Sequence, residues 1–218
     1  FLQTYAETKQ TIKMICYVEE DYQYPNYAGI TYVNILKEMP ELVAFKERHK
    51  DKVWNDDSDF LQNAVRFSHK VFAQYHASKL GKKFMWLDAD NIFMKEIPNN
   101  FMDTFIPDDK FITFYGRDHY TECGVIGFNC KDEDSKQFFD LYLSHYTEDK
   151  IWNMVNKTDC HALDNTRNMI KPKERNKADG HGGHIIARDK EINPYIDHKK
   201  GKRKYKDNSP EWVKQTND

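Results

Sequence analysis

The chain has 218 residues, 39% hydrophobic and 31% charged, a size at which one compact core is expected and two full-sized domains are not, so residues 1–218 read as a single domain. Aromatic residues make up 14% and supply enough large apolar side chains to fill that core although mean hydropathy is -0.88, which excludes wholesale disorder. Lysine and arginine total 33 against 35 acids, so a net charge of -2 gives no overall positive field for nucleic acid or anionic lipid, and any anion site must be local.

In chain order, FLQTYAETK reads as the end of a helix and TIKMICYVE as a buried strand, so the chain opens mid-fold. Asn34 to His49 has near-helical apolar spacing interrupted by Pro40, and Ala64 to Leu80 repeats that spacing more cleanly, with a polar loop containing NDDSD between them. KKFMWLD is an apolar strand whose carboxyl end carries charge, and ADNIFMKEIP runs on to a turn at Pro98. KFITFYG and CGVIGFN are further strands, SKQFFDLYLSHY is an amphipathic helix, and IWNMVNKTDCHALDNTRNMI reads as helix plus turn. KPKERNKADGHGGH reads as a polar loop and HIIAR as a short strand. The basic, turn-rich stretch from residue 198 to 218 is expected to be a tail that either closes over a site or remains loose. Strands alternating with helices predict an α/β fold, whose ligands bind at the carboxyl ends of strands.

The apolar runs fall short of the roughly 20 residues that cross a bilayer, and the opening residues lack a signal peptide's basic head and apolar middle, so no membrane-spanning segment is expected. Cys16, Cys123, Cys130 and Cys160 show no CxxC spacing, which favours a reducing, cytoplasmic compartment.

The sharpest chemical signal is Asp88-Ala89-Asp90 at the end of an apolar strand. Residues two apart on a strand share a face, so the two carboxylates can converge into a hard-cation site suited to Mg2+ or Mn2+. An isolated DxD is more often an acidic turn that caps a helix. Arg66 and Lys70, four apart, share a helix face that either meets a phosphate or sugar or forms a solvated or salt-bridged surface. Gly124 and Gly127 inside a strand imply that something approaches closely there, a sugar being one candidate. Asp159, taken alone, can serve as a helix cap. His181 and His184 lie three apart, a weak metal spacing in a flexible loop.

Taken together, RFSHKVFA, WLDADNIF, YTECGVIGFN, DCHALD and DHKKGKRK resemble nucleotide-sugar glycosyltransferases of the GT-A fold, in particular the small enzymes of phages and large DNA viruses. The resemblance implies a single Rossmann-like domain with a mixed, mostly parallel central sheet flanked by helices. In that fold a first, central strand precedes the opening helix, so it is expected to be missing from this chain, leaving a cavity or an exposed edge. The implied activity is transfer of a sugar from a nucleoside diphosphate donor, most commonly a UDP-sugar, to a hydroxyl of a glycan or other acceptor. The implied metal ligands are Asp88, Asp90 and His198. Arg66, Lys70, Asp88, Asn129, Asp164, Lys199, Lys200 and Lys202 are the implied donor and acceptor contacts. Asp159 and Glu122 are the candidate catalytic acids, Asp159 being the first choice of base for an inverting reaction.

Two other classes fit parts of the pattern. Haloacid-dehalogenase-like phosphatases also end a strand in DxD, using the first acid as nucleophile, but DADNIF lacks the glycine and threonine of their turn. A noncatalytic nucleotide-sugar-binding module would bind without turnover.

Overall fold

The computed structural model describes residues 1–52, 57–180 and 184–199. Lys200, Lys202, His181, the rest of the basic tail, and Asn55 and Asp56 of the NDDSD loop lie outside the described residues. The architecture is α/β, with open, mixed sheets between helices.

Helix α1 (Leu2–Glu7) leads into strand β1 (Met14–Val18), which pairs in parallel with β2 (Ile30–Asn34). The Asn34 side chain accepts from the Leu36 and Lys37 N–H groups and so starts α2 (Ile35–Glu38); Pro40, without an N–H to offer the preceding turn, then opens α3 (Pro40–Arg48). The interruption at Pro40 therefore splits the expected helix into two. Helix α4 (Ala64–Leu80) begins at Asn63, whose side chain accepts from Arg66 N–H, and stops at Gly81.

The main sheet has four strands in the order β3 (Lys83–Leu87), β6 (Glu122–Asn129), β5 (Ile112–Tyr115), β7 (Glu174–Asn176). Strand β4 (Asn91–Phe93) pairs separately with β8 (Ile196–His198). Of the five pairings among the described residues, β1·β2 and β5·β7 are parallel and the other three antiparallel, so the expected parallel majority is not present. Pairing β3 with β6 and β6 with β5 needs no crossover helix between them, which is why these neighbours run in opposite directions.

Period-2 alternation divides the apolar side chains of the main sheet into two layers. Phe84, Trp86, Ile126 and Phe128 face α2, α3, α4, α6 (Ser135–Thr147) and α7 (Asp159–Ile170). Met85, Leu87 and Val125 face α1, α5 (Phe101–Phe105), α8 (Ile185–Arg188) and the β4–β8 pair. HIIAR, expected as a strand, is helix α8: Ile185, Ile186 and Ala187 are consecutive and all buried in that second layer, which a half-covered strand does not allow. Part of the expected polar loop is strand β7, a polar edge strand with no apolar alternation to reveal it. No helix among the described residues is long and apolar enough to cross a membrane.

Candidate metal centre

Strand β3 hands its last residues to a tight turn. Asp88 N–H donates to Gly124 O at 3.0 Å, and Asn91 N–H donates to Asp88 O at 3.0 Å. The fully buried Asn91 side chain donates to both carbonyls, Asp88 O at 2.7 Å and Gly124 O at 3.1 Å, which pins the DxD turn onto β6. Directly after it, Asn91 pairs with His198 in the β4–β8 ladder, and Lys199 N–H donates to Asp90 O at 2.8 Å. Two segments more than a hundred residues apart in sequence thus converge.

The result is a group in which ligand atoms of Asp88, Asp90 and His198 all lie within 4.8 Å of one another. His198 Nε2 sits 3.0 Å from an Asp90 carboxylate oxygen. Two carboxylates and one imidazole on one side of a site suit a first-row divalent ion and favour Mn2+ over Mg2+, since imidazole nitrogen is a poor partner for Mg2+. Gly124 makes room for this ligand set: a Cβ there would lie 2.8 Å from His198 Nε2. The close approach expected at Gly124 is therefore that of the histidine ring rather than a sugar. At Gly127 the neighbour is core, with Ile106 Cδ1 2.8 Å from where a Cβ would stand.

Behind Asp88 stands Lys70 on α4, its ammonium 2.8 Å from Asp88, 2.9 Å from Asp159 and 3.2 Å from the Cys123 carbonyl to which it donates. Burial works against its charge, but Asp159 and then Asp88 outweigh burial and hold its pKa well above the usual lysine range. Trp86 Nε1–H donates to Asp88 at 2.7 Å, so the carboxylate is oriented from two sides.

Asp159 is the first residue of α7, 1% exposed. The capping position belongs to Thr158, whose hydroxyl accepts from His161 N–H, so Asp159 is not the cap. Enclosed behind Lys70, it is positioned as a fixed counter-ion, a different task from taking a proton off an incoming hydroxyl. Glu122 is buried, held by Arg117 at 2.8 Å and by Gly124 N–H at 3.2 Å. Asp164 accepts from Thr121 N–H at 2.9 Å and from Arg167 at 2.8 Å, and that arginine also pairs with Glu174, which ties α7 to β6 and β7.

Two expected contacts stand elsewhere. Arg66 is exposed one turn before Lys70, with its guanidinium over the Phe60 ring at 5.3 Å, held by stacking rather than by the acidic group. Asn129 lies five residues beyond Gly124 at the far end of β6, about 17 Å away at roughly 3.4 Å per residue, where it donates to Asp108 O at 3.2 Å. Lys199 is buried with its ammonium 3.0 Å from Asp197 and its backbone on Asp90.

A second grouping, Cys123, Asp159 and Cys160, also lies within 4.8 Å. It suits an ion less well: burial and the neighbouring Cys160 push the Cys123 thiol well above its ordinary pKa, and Lys70 already satisfies Asp159. Sequence reading missed Asn91 and Trp86, the groups that orient the turn. Asn directly after DxD was the available signal for the first, and nothing in one sequence pairs an indole with a carboxylate two residues on. No protein-family model matches the chain, and no curated protein matches it.

Proposed function

We propose that this chain is a metal-dependent glycosyltransferase of the GT-A type, moving a sugar from a nucleoside diphosphate donor, with UDP-sugars the first candidates, to an acceptor hydroxyl. The observation that carries the reading is the convergence of Asp88, Asp90 and His198 at the end of an apolar strand, with a half-buried lysine behind them. Asp88, Asp90 and His198 would hold a Mn2+ or Mg2+ ion, which when bound supplies Lewis-acid stabilisation of the charge that develops on the departing diphosphate.

The chain's own groups prepare that site. Lys70 and Trp86 fix the rotamer of Asp88, Asn91 fixes the turn, and Gly124 lets the imidazole reach Asp90. Asp159 keeps Lys70 charged and in place. Glu122, on the strand that carries Gly124 and held by Arg117, is the remaining acid beside the site and the candidate hydrogen-bond acceptor for a sugar hydroxyl. The phosphatase reading has no comparable support, because Asp90, which would be its acid, is engaged by His198.

A thermal-shift panel of nucleoside diphosphate sugars with and without Mn2+ tests the proposal. Stabilisation by a UDP-sugar only when Mn2+ is present, and its loss in Asp90→Asn, is the expected result. An equal shift without metal, or an undiminished one in the variant, would overturn it. Release of inorganic phosphate from a simple monoester would favour the phosphatase instead.

A further inference from the structure

All four cysteines carry free thiols, and the fold brings two of them together. Cys123 is the second residue of β6 and Cys160 the second of α7, both in the first apolar layer. Their sulfurs and an Asp159 carboxylate oxygen all lie within 4.8 Å of one another, and the two thiols hydrogen-bond to each other. Cys130, just past the far end of β6, is about 24 Å along the strand from Cys123 at roughly 3.4 Å per residue.

Paired thiols hold a metal or form a disulfide. A metal needs thiolates, and burial holds the Cys123 thiol well above its ordinary pKa. At Cys160 the hydrogen bond with Cys123 works downward, but burial and Asp159 outweigh it. Both thiols are therefore protonated at rest, and what stays open to a neutral dithiol is loss of two electrons and two protons. A disulfide sets its sulfurs about 2 Å apart, so closure needs an approach of about 3 Å at most, which a turn about χ1 supplies.

The neighbours give such a bond its consequence. The Cys123 carbonyl accepts from Lys70 at 3.2 Å, and Asp159, adjacent to Cys160, pairs with Lys70 at 2.9 Å. Two partners of that ammonium thus flank the dithiol, while another, Asp88, lies 2.8 Å away on its other side.

We propose that Cys123 and Cys160 form a reversible oxidation site, closing to a disulfide that staples the start of β6 to the start of α7 and, through Lys70, disturbs the setting of Asp88. The oxidant is a hydroperoxide. Cys160 is half-buried whereas Cys123 is 2% exposed, so the Cys160 sulfur attacks hydrogen peroxide first. The O–O bond breaks, one water leaves, and Cys160 becomes a sulfenic acid. The Cys123 sulfur then attacks that sulfur; the S–S bond forms as the S–O bond breaks, and the Cys123 proton departs with the hydroxide as a second water. Two thiols have lost two electrons and two protons, and one peroxide has become two waters. An external dithiol reverses the bond by exchange. Neither the bond nor its effect on Lys70 requires a bound metal or depends on the glycosyltransferase reading.

The test treats the metal-free chain with excess hydrogen peroxide, blocks the remaining thiols in denaturant with iodoacetamide, and maps tryptic peptides by mass spectrometry without reduction. Peptides 118–131 and 158–167 should appear joined, with fragmentation placing the link at Cys123 rather than Cys130, and dithiothreitol should release them. The Trp86 indole N–H, which donates to Asp88 at 2.7 Å, is the second readout. Its NMR peak, assigned with Trp86→Phe, should shift on oxidation, return with dithiothreitol, and stay in place when Cys160→Ser is given peroxide. The crosslink is read in the native chain and stands whether or not the serine variant folds. Cys123 and Cys160 in separate peptides, or joined to Cys16 or Cys130 instead, would overturn the site. A joined pair with an unmoved Trp86 peak would overturn its reach to Asp88.

Discussion

Gly124 shows how one missing methyl group can decide the geometry of a candidate metal site. Its Cα faces the His198 imidazole so closely that alanine would push the ring away from Asp90. Gly124→Ala is expected to weaken Mn2+ binding by about tenfold or more while the chain stays folded, measured by calorimetric titration alongside circular dichroism. Lys70 is the second decisive residue. Lys70→Met strands a carboxylate that is 1% exposed, and urea unfolding should show a loss of about 3 to 5 kcal/mol, most of it recovered when Asp159→Asn is added. His145 offers a pH test away from the site. Burial, and then Lys150, lower its pKa from 6.5 to about 4 against an opposing effect of Glu148, while its Nε2 meets Thr166 Oγ1 at 3.0 Å. Because the unfolded chain binds this proton at a higher pH than the folded one, stability is full above about pH 6.5 and falls as the pH drops towards 4. Unfolding of the native chain and of His145→Gln across that window should show the sloping component lost in the variant.

At the level of elements, capping chemistry made the helices legible and polar edges hid the strands. Helix α4 has the bounds read from its apolar spacing, since Asn63 and Gly81 stop it at either end. Helix α7 carries both Asp159 and Asp164, and Thr158 starts it. Thr158→Ala is expected to cost about 1 kcal/mol in urea unfolding, because the hydroxyl that accepts His161 N–H is lost. Strand β7 escaped because Glu174 and Arg175 are spent on ion pairs with Arg167 and Glu191, leaving no alternation to read. Strand β2, ITYVN, was not singled out although its β-branched content suits a strand. HIIAR misled because a three-residue apolar run has too little length to separate the two periods. The convergence of Asp88 and Asp90 was legible from strand alternation, whereas nothing in the spacing of one sequence places His198 beside them, since that depends on the β4–β8 pairing. Asn129 was not legible either, since its position along β6 depends on which end of that antiparallel strand meets Asp88.

Across the whole molecule, one sheet separates two apolar layers, and the candidate centre sits where the second layer's β4–β8 pair folds back over the end of β3. The candidate ligands therefore come from two segments more than a hundred residues apart, one near the middle of the chain and one late in it, and report on the completed fold. Binding of Mn2+ should consequently stabilise the molecule globally, raising the unfolding midpoint with ion concentration. The most direct measurement is a Mn2+ titration followed by the electron paramagnetic resonance signal of the free ion, on the native chain, Asp90→Asn and His198→Ala. Uptake of a single ion by the native chain, weakened by about tenfold or more in each variant, is the expected result. Equal uptake by all three would contradict a centre built from Asp88, Asp90 and His198.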